Sequence, residues 1–112
     1  MDARAAARRW RDAWERAWRE HDAPDIAALY ARDAVLQSQR PENYVEPARA
    51  MERSTECEFD EPLVDGDRAA VAWRAQPRLK DGGREQLAGV SLLRFDTAGL
   101  VVEQRDFWGR AP

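Results

Sequence analysis

Cysteine and histidine each occur once in this chain, as Cys57 and His21. One thiol excludes an internal disulfide and any cysteine-cluster metal site, and one imidazole leaves no zinc constellation. Cys57 stands between Glu56 and Glu58 in an alternating stretch, which reads as a small buried apolar residue on a strand. His21 closes the first helical segment, where a cation complements the helix dipole. No apolar run reaches the ~18–20 residues that cross a bilayer. The segment Met1–Trp10 lacks the apolar stretch of a signal peptide and reads as the start of a helix in a cytoplasmic protein. Charge of one sign is also scarce. Lys and Arg number 18 against 21 Asp and Glu, a net charge of −3, so no phosphate-neutralising excess exists for nucleic acid. Arg4, Arg8, Arg9 and Arg11 cluster locally, but Asp12 and Glu15 follow, as on a solvated helix face. There is no Gly-rich phosphate loop, dinucleotide fingerprint or metal-ligand set, so neither cofactor nor metal is expected.

What is present is tryptophan and alternation. With 112 residues, 44% of them hydrophobic and 35% charged, the chain makes a single domain over residues 1–112. Residues 3 to about 20 read as an amphipathic helix, with Trp10, Trp14 and Trp18 at i, i+4 and i+8 beside Ala6, Ala7, Ala13 and Ala17. That stripe packs on a sheet or walls a pocket. Asp22 to Asp25, with Pro24 in a first turn, starts a second helix carrying Ile26, Leu29 and Tyr30 and ending near Asp33. Val35 to Gln39 reads as a strand, and Pro47 to about Arg53 as a two-turn helix. A run of hairpins follows: a strand from Thr55 to about Val64, a turn at Asp65-Gly66, a strand from Arg68 to Arg78, and a turn at Asp81-Gly82-Gly83. A strand from Glu85 to Asp96, a turn at Thr97-Ala98-Gly99 and a last strand to Trp108 complete it. Helices followed by hairpins indicate an α+β fold, an antiparallel sheet with helices on one face.

The last strand holds the most informative residue. Alternation puts Gln104, Asp106 and Trp108 on one face, and an acid beside tryptophan on a buried face is paired, neutralised or used.

This order resembles the nuclear transport factor 2-like superfamily, and within it the SnoaL-like branch. The residues carrying the resemblance are Trp18-x-x-His-Asp22, Ile26 to Val35, Val64 to Trp73, Ala88 to Asp96 and Gly99 to Trp108. The resemblance implies a cone-shaped curled sheet wrapped around a long N-terminal helix, with a small-molecule pocket inside. Such folds host isomerases, epoxide hydrolases, polyketide cyclases and plain binding domains. Ketosteroid isomerases within this group need a tyrosine, a base aspartate and a protonated aspartate. Alignment through Asp22, Tyr30 and Arg94-Phe-Asp96 sets Trp14, Ser38 and Ser91 there, and none can be the base. Limonene epoxide hydrolases carry Arg-x-Asp and a second aspartate. Here Arg74 and Asp106 match, but Gln76 replaces the other acid and can donate only a hydrogen bond. The segment from Pro41 to Asp60 is shorter than in the family, which would leave the pocket shallow or open.

Turn geometry gives a row to test. A turn centred near Asp81-Gly82 sets Arg74 opposite Gly89, and the turn near Thr97 sets Gly89 opposite Asp106. The flanking rows are Ala72–Ser91–Gln104 and Gln76–Leu87–Trp108; a slip of one residue would invert every face. The candidate site is then Asp106 and Arg74 as catalytic residues, with Trp14, Trp18, Tyr30, Gln76, Ser91, Gln104 and Trp108 around a small organic ligand. Asp106 would act as the acid or base of an isomerase, cyclase or hydrolase. The alternative is a non-catalytic dimerisation or accessory module in which Arg74 and Asp106 form a structural ion pair. The other face, with Val71, Trp73, Val90, Leu92, Val101 and Phe107, reads as apolar too and is expected to be covered by a second copy, anchored by Trp73 and Phe107.

Overall fold

The computed structural model describes residues 1–20, 25–38 and 52–110. The chain opens with α1 (Ala3–Glu20). Asp2 caps it: its Oδ1 accepts the Ala5 N–H at 2.7 Å, satisfying one of the donors a helix start leaves open. The alanine and tryptophan stripe faces inward, with Ala6, Ala7, Trp10 and Ala17 buried. The arginines look outward, and Arg4, Arg8 and Arg11 converge on Glu61 at 3.8, 2.7 and 2.9 Å. Arg8 and Arg11 hold the exposed Glu61 carboxyl below its ordinary range, chiefly through the Arg8 hydrogen bond.

After α1 the expected second helix shrinks to a single 3-10 turn, Ala27–Leu29, and Tyr30 already begins a strand. The physical reason is tertiary. Tyr30 is drawn under α1 by its hydroxyl, and its strand gains a partner, which outweighs local helix propensity. The strands are β1 (Tyr30–Ser38), β2 (Glu52–Phe59), β3 (Leu63–Asp65), β4 (Arg68–Leu79), β5 (Leu87–Phe95) and β6 (Val101–Arg110). The single strand expected from Thr55 to Val64 is two strands, interrupted at Asp60–Pro62 with Pro62 buried. The strand expected to start at Val35 begins five residues earlier. His21, the cap at Asp22 and most of the helix expected after Pro47 lie outside the described residues; its last two residues belong to β2.

The six strands form one curled, unclosed sheet in the order β1-β6-β5-β4-β2, with β3 also on β4. It is not wholly antiparallel as expected. β1 runs parallel to β6, while every other pair is antiparallel. α1 lies across the inner face and packs on Leu29, Ala69, Val71, Leu93, Phe95 and Val101. Towards the far end of β4, Cys57, Trp73, Ala75 and Leu87 form a second cluster, closed by Trp18, Phe59 and Trp108. Its rings are in contact: Trp18 meets Trp73 edge-on at 5.2 Å, and Phe59 stacks on Trp73 at 6.2 Å.

The register differs from the expected one by a single residue on β4. Leu79 N–H donates to Gly83 O at 2.8 Å and Gly82 N–H to Leu79 O at 3.0 Å, so the β4–β5 turn is centred on Asp81 rather than between Asp81 and Gly82. Gly82 provides the φ of +91° that this odd-numbered turn requires. One residue inverts β4, so Trp73, not Arg74, sits opposite Gly89. The β5–β6 pairing slips by two and keeps its faces: Gly89 pairs with Trp108 and Ser91 with Asp106. The inner rows are therefore Val71–Ser91–Asp106 and Trp73–Gly89–Trp108.

The expected outer face changes accordingly. Val71 and Trp73 turn in with β4, and Val101 turns in where the β5–β6 register shifts between Arg94 and Phe95; all three are buried, which removes Trp73 as a candidate interface anchor. Val90 and Phe107, cross-strand partners, remain outside with Leu92.

Gly89 is where the Trp73 ring and the base of the Trp108 side chain crowd the sheet. A Cβ there would stand 2.6 Å from Trp73 Cζ2, 2.7 Å from Trp108 Cβ and 2.7 Å from the Phe107 carbonyl oxygen, and the last cannot move without breaking the ladder. Gly89→Ala is expected to destabilise by about 2 kcal/mol, the usual cost of overpacking, read as a lowered urea midpoint at unchanged slope.

Candidate functional site

The inner face of β6 presents Gln104 and then Asp106 beneath α1, and β1 delivers Tyr30 beside them. Trp14 Nε1 donates to Tyr30 Oη at 2.9 Å. Trp10 Nε1 is shared between Tyr30 Oη and Gln104 Oε1, at 3.2 Å each. Tyr30 Oη donates to Gln104 Oε1 at 2.5 Å. Gln104 Nε2 donates to both Asp106 oxygens at 3.1 Å.

These bonds have one possible direction. An indole N–H can only donate, so the Tyr30 oxygen accepts and its hydrogen leaves toward Gln104. Gln104 then turns its carbonyl to Tyr30 and Trp10, and its amide N–H groups to Asp106. Reversing the amide would aim its N–H groups at Tyr30 and Trp10, which are already donating. The orientation of this side chain, ordinarily a matter of assignment, is fixed by its neighbours.

Trp10 and Gln104 are 2% and 5% exposed, so the chain runs through desolvated space. Burial pushes the Tyr30 hydroxyl up to about 12; the indole bonds act against this, and the nearby Asp106 charge adds to it. Ser91, opposite Asp106 on β5, is 3% exposed and accepts the Trp73 indole N–H at 3.2 Å.

Of the residues expected at the site, Asp106, Gln104, Tyr30 and Trp14 form one bonded chain, with Ser91 alongside in the row of Asp106. Trp18 and Trp108 belong to the adjoining aromatic cluster. Arg74 and Gln76 do not join them. Arg74 is on the outer face, 56% exposed in its side chain, and pairs with Glu58 at 3.1 Å and Asp60 at 3.7 Å. Gln76 pairs with Glu56 of β2 on that same side. The expected Arg74–Gly89–Asp106 row and its ion pair are not formed, because the one-residue turn inverts β4. Trp10 is the site residue the sequence reading left in the core, although its donor-only N–H was the signal that it needs a buried acceptor. An open groove of about 690 Å³ lies behind α1, lined by Arg9, Arg16, Asp25 and Ala28 among others, and the Arg16–Asp25 pair at 2.9 Å spans it. Among the described residues no three His, Cys, Asp or Glu side chains group as a metal site, and no helix is long and apolar enough to cross a membrane.

Residues 7–104 match the family described as the SnoaL-like domain. The chain belongs to that family. Among curated proteins no sequence match is found. This SnoaL-like domain superposes on AclR, a putative hydroxylase from Streptomyces galilaeus, with a TM-score of 0.80 and 21% identity over 97% of this chain and 82% of that one. TerC co-crystallised with polyporic acid gives a TM-score of 0.72 at 14% identity, covering 93% of this chain and 92% of TerC. A protein from Catenulispora acidiphila with a ketosteroid isomerase-like fold, in complex with trimethylamine, gives 0.71 at 15%, covering 86% and 82%. At these identities the likeness is one of fold, and the curled sheet around a long helix is that of nuclear transport factor 2-like proteins.

Tyr30 supplies a test of the buried chain. Its hydroxyl ordinarily titrates at 10.0 and in the fold at about 12, so the stabilisation is complete below pH 10 and lost as pH rises from 10 to 12. The loss expected over that window is about 2–3 kcal/mol. Burial also pushes the Cys57 thiol up to about 11, so the parent weakens from a lower pH as well. The difference between parent and Tyr30→Phe isolates the tyrosine: urea stability measured against pH should fall less steeply in the variant above pH 10.

Proposed function

We propose that this SnoaL-like domain binds a small organic molecule against its inner aromatic face and uses Asp106 as the hydrogen-bond or proton acceptor toward it. The observation that carries the reading is the direction of the buried chain, in which donor-only indoles feed Tyr30, Tyr30 feeds Gln104 and Gln104 feeds Asp106. A half-buried carboxylate fed by such a chain has oxygen lone pairs beyond those Gln104 uses, and these can accept from a ligand. Proton abstraction from carbon, or activation of a water, is the chemistry these groups support. An isomerase or cyclase fits directly, and a hydrolase fits through the water. Relatives of the same fold that hold polyporic acid and trimethylamine support a small organic ligand. Of the rival reading, a non-catalytic dimerisation or accessory module, the structural Arg74–Asp106 pair is missing, because Arg74 pairs with Glu58.

The test is a screen of small organic acids and ketones by quenching of tryptophan fluorescence, repeated on Asp106→Asn. The expected outcome is affinity lowered at least about tenfold in the variant, with urea stability changed by less than about 1 kcal/mol, since an amide oxygen still accepts from Gln104. A variant that loses about 3 kcal/mol or more, or binds equally well, would sink the assignment.

The outer face supports pairing with a second copy. Phe107 and Val35 are 46% and 51% exposed, and Val90 and Leu92 adjoin Phe107 on the neighbouring strand. Sedimentation of the parent should give a dimer, and Phe107→Glu a monomer with unchanged secondary structure. A parent that stays monomeric at high micromolar concentration contradicts the pairing.

A further inference from the structure

We infer that Gln104 and Tyr30 are positioning residues that hold Asp106 in its proton-accepting form, so that this site acts as a base and not as an acid. The inference deepens the proposed function and rests on its reading that Asp106 meets the ligand. The geometry leaves little freedom. Gln104 reaches both carboxylate oxygens at 3.1 Å from one nitrogen, so a proton on either oxygen would weaken that contact. Gln104 cannot relieve the conflict by turning over, because its carbonyl is held by Tyr30 Oη at 2.5 Å and Trp10 Nε1 at 3.2 Å. Tyr30 cannot turn either, because Trp14 donates to its oxygen at 2.9 Å. Each residue in the chain blocks the flip of the next.

Among the described residues, the groups that face Asp106 fit this role. From β1 comes Tyr30, which keeps its proton far into the alkaline range. From β5 comes the neutral Ser91 opposite, and from α1 the neutral indoles that end in Tyr30 and Gln104. The sequence neighbours Glu103 and Arg105 alternate onto the outer face, where Glu103 meets Arg94 at 3.9 Å. Glu15 of α1 is engaged elsewhere, accepting the Phe59 N–H at 2.8 Å and facing Arg19 at 3.7 Å. A committed base selects its ligands by chemistry. It suits compounds with a removable proton on carbon, nitrogen or oxygen, and it gives no help where a leaving or ring oxygen must be protonated, as in epoxides and acetals.

The experiment reads the protonation of Asp106 directly and needs no ligand. Protein carrying carbon-13 at the aspartate side-chain carboxyls is titrated by NMR, with the Asp106 signal identified by its loss in Asp106→Asn. The parent signal is expected to be that of a carboxylate at neutral pH. Its midpoint should rise by about one pH unit in Gln104→Leu, which removes the donor, and in the same direction but less in Tyr30→Phe, which frees the amide to turn. Gln104→Glu keeps the shape and the Tyr30 bond but sets two acids together, so it should bind one more proton near neutrality and serves if the leucine variant fails to fold. A protonated Asp106 at neutral pH in the parent, or an unmoved midpoint in folded variants, overturns the inference. A moved midpoint with no ligand found leaves the positioning intact and counts against the binding reading alone; Asp106-dependent binding with an unmoved midpoint does the reverse.

Discussion

Two indole N–H groups on the buried side of α1 need acceptors inside an aromatic core, and much of the molecule is arranged around that need. A buried donor left without a partner costs about 1–3 kcal/mol, a large share of the stability of a domain this small. The acceptors come from two strands, Tyr30 at the start of β1 and Gln104 within β6. Satisfying the helix therefore draws those strands together beneath it, and they run parallel to one another. Parallel pairing removes the option of a tight hairpin between them, so β1 enters the sheet at its edge beside the last strand of the chain.

The same requirement explains which parts of this architecture could be read from sequence. α1 was legible because its tryptophans recur at helical spacing, and β4, β5 and β6 because their alternation is bounded by glycine turns. The inward direction of Gln104 and Asp106 was legible from alternation alone. Tyr30 was misread as helical, since a local pattern carries no record of a hydroxyl sought by Trp14 from sixteen residues away. Arg74 was misread for a different reason. Its face depended on whether the turn near Asp81 has an odd or even number of residues, and the composition Asp-Gly-Gly allows either. Burial would have decided it: Val71, Trp73 and Ala75 make a better core row than Ala72, Arg74 and Gln76.

The inner face falls into two regions with different physics. Around Trp73 the packing is mainly apolar, and the Trp73 ring, the Trp108 Cβ and the Phe107 carbonyl leave no room for a side chain at Gly89. Around Gln104 they are directional, and a single donor order runs through them. Ser91 joins the two, because its oxygen accepts from Trp73 while its strand position faces Asp106. The close packing of the first region backs the strands that carry the second, as a dense apolar core does for polar groups whose geometry must be kept.

A purely structural account stops short at Asp106. The amide of Gln104 could be satisfied by a serine hydroxyl, an asparagine or a backbone carbonyl, each of which avoids the desolvation that a charge incurs. A carboxylate at that position carries a desolvation cost that the Gln104 contact alone does not demand, and two N–H···O contacts from Gln104 favour its charged form. A charge retained at such a cost is the kind of group that functional sites collect, which is the ground for proposing a role for Asp106 beyond packing. Among the described residues, the groups that meet Asp106 on this face are neutral, with Gln104 donating to both its oxygens and Ser91 opposite it, and the proposed role as a proton acceptor rests on that arrangement.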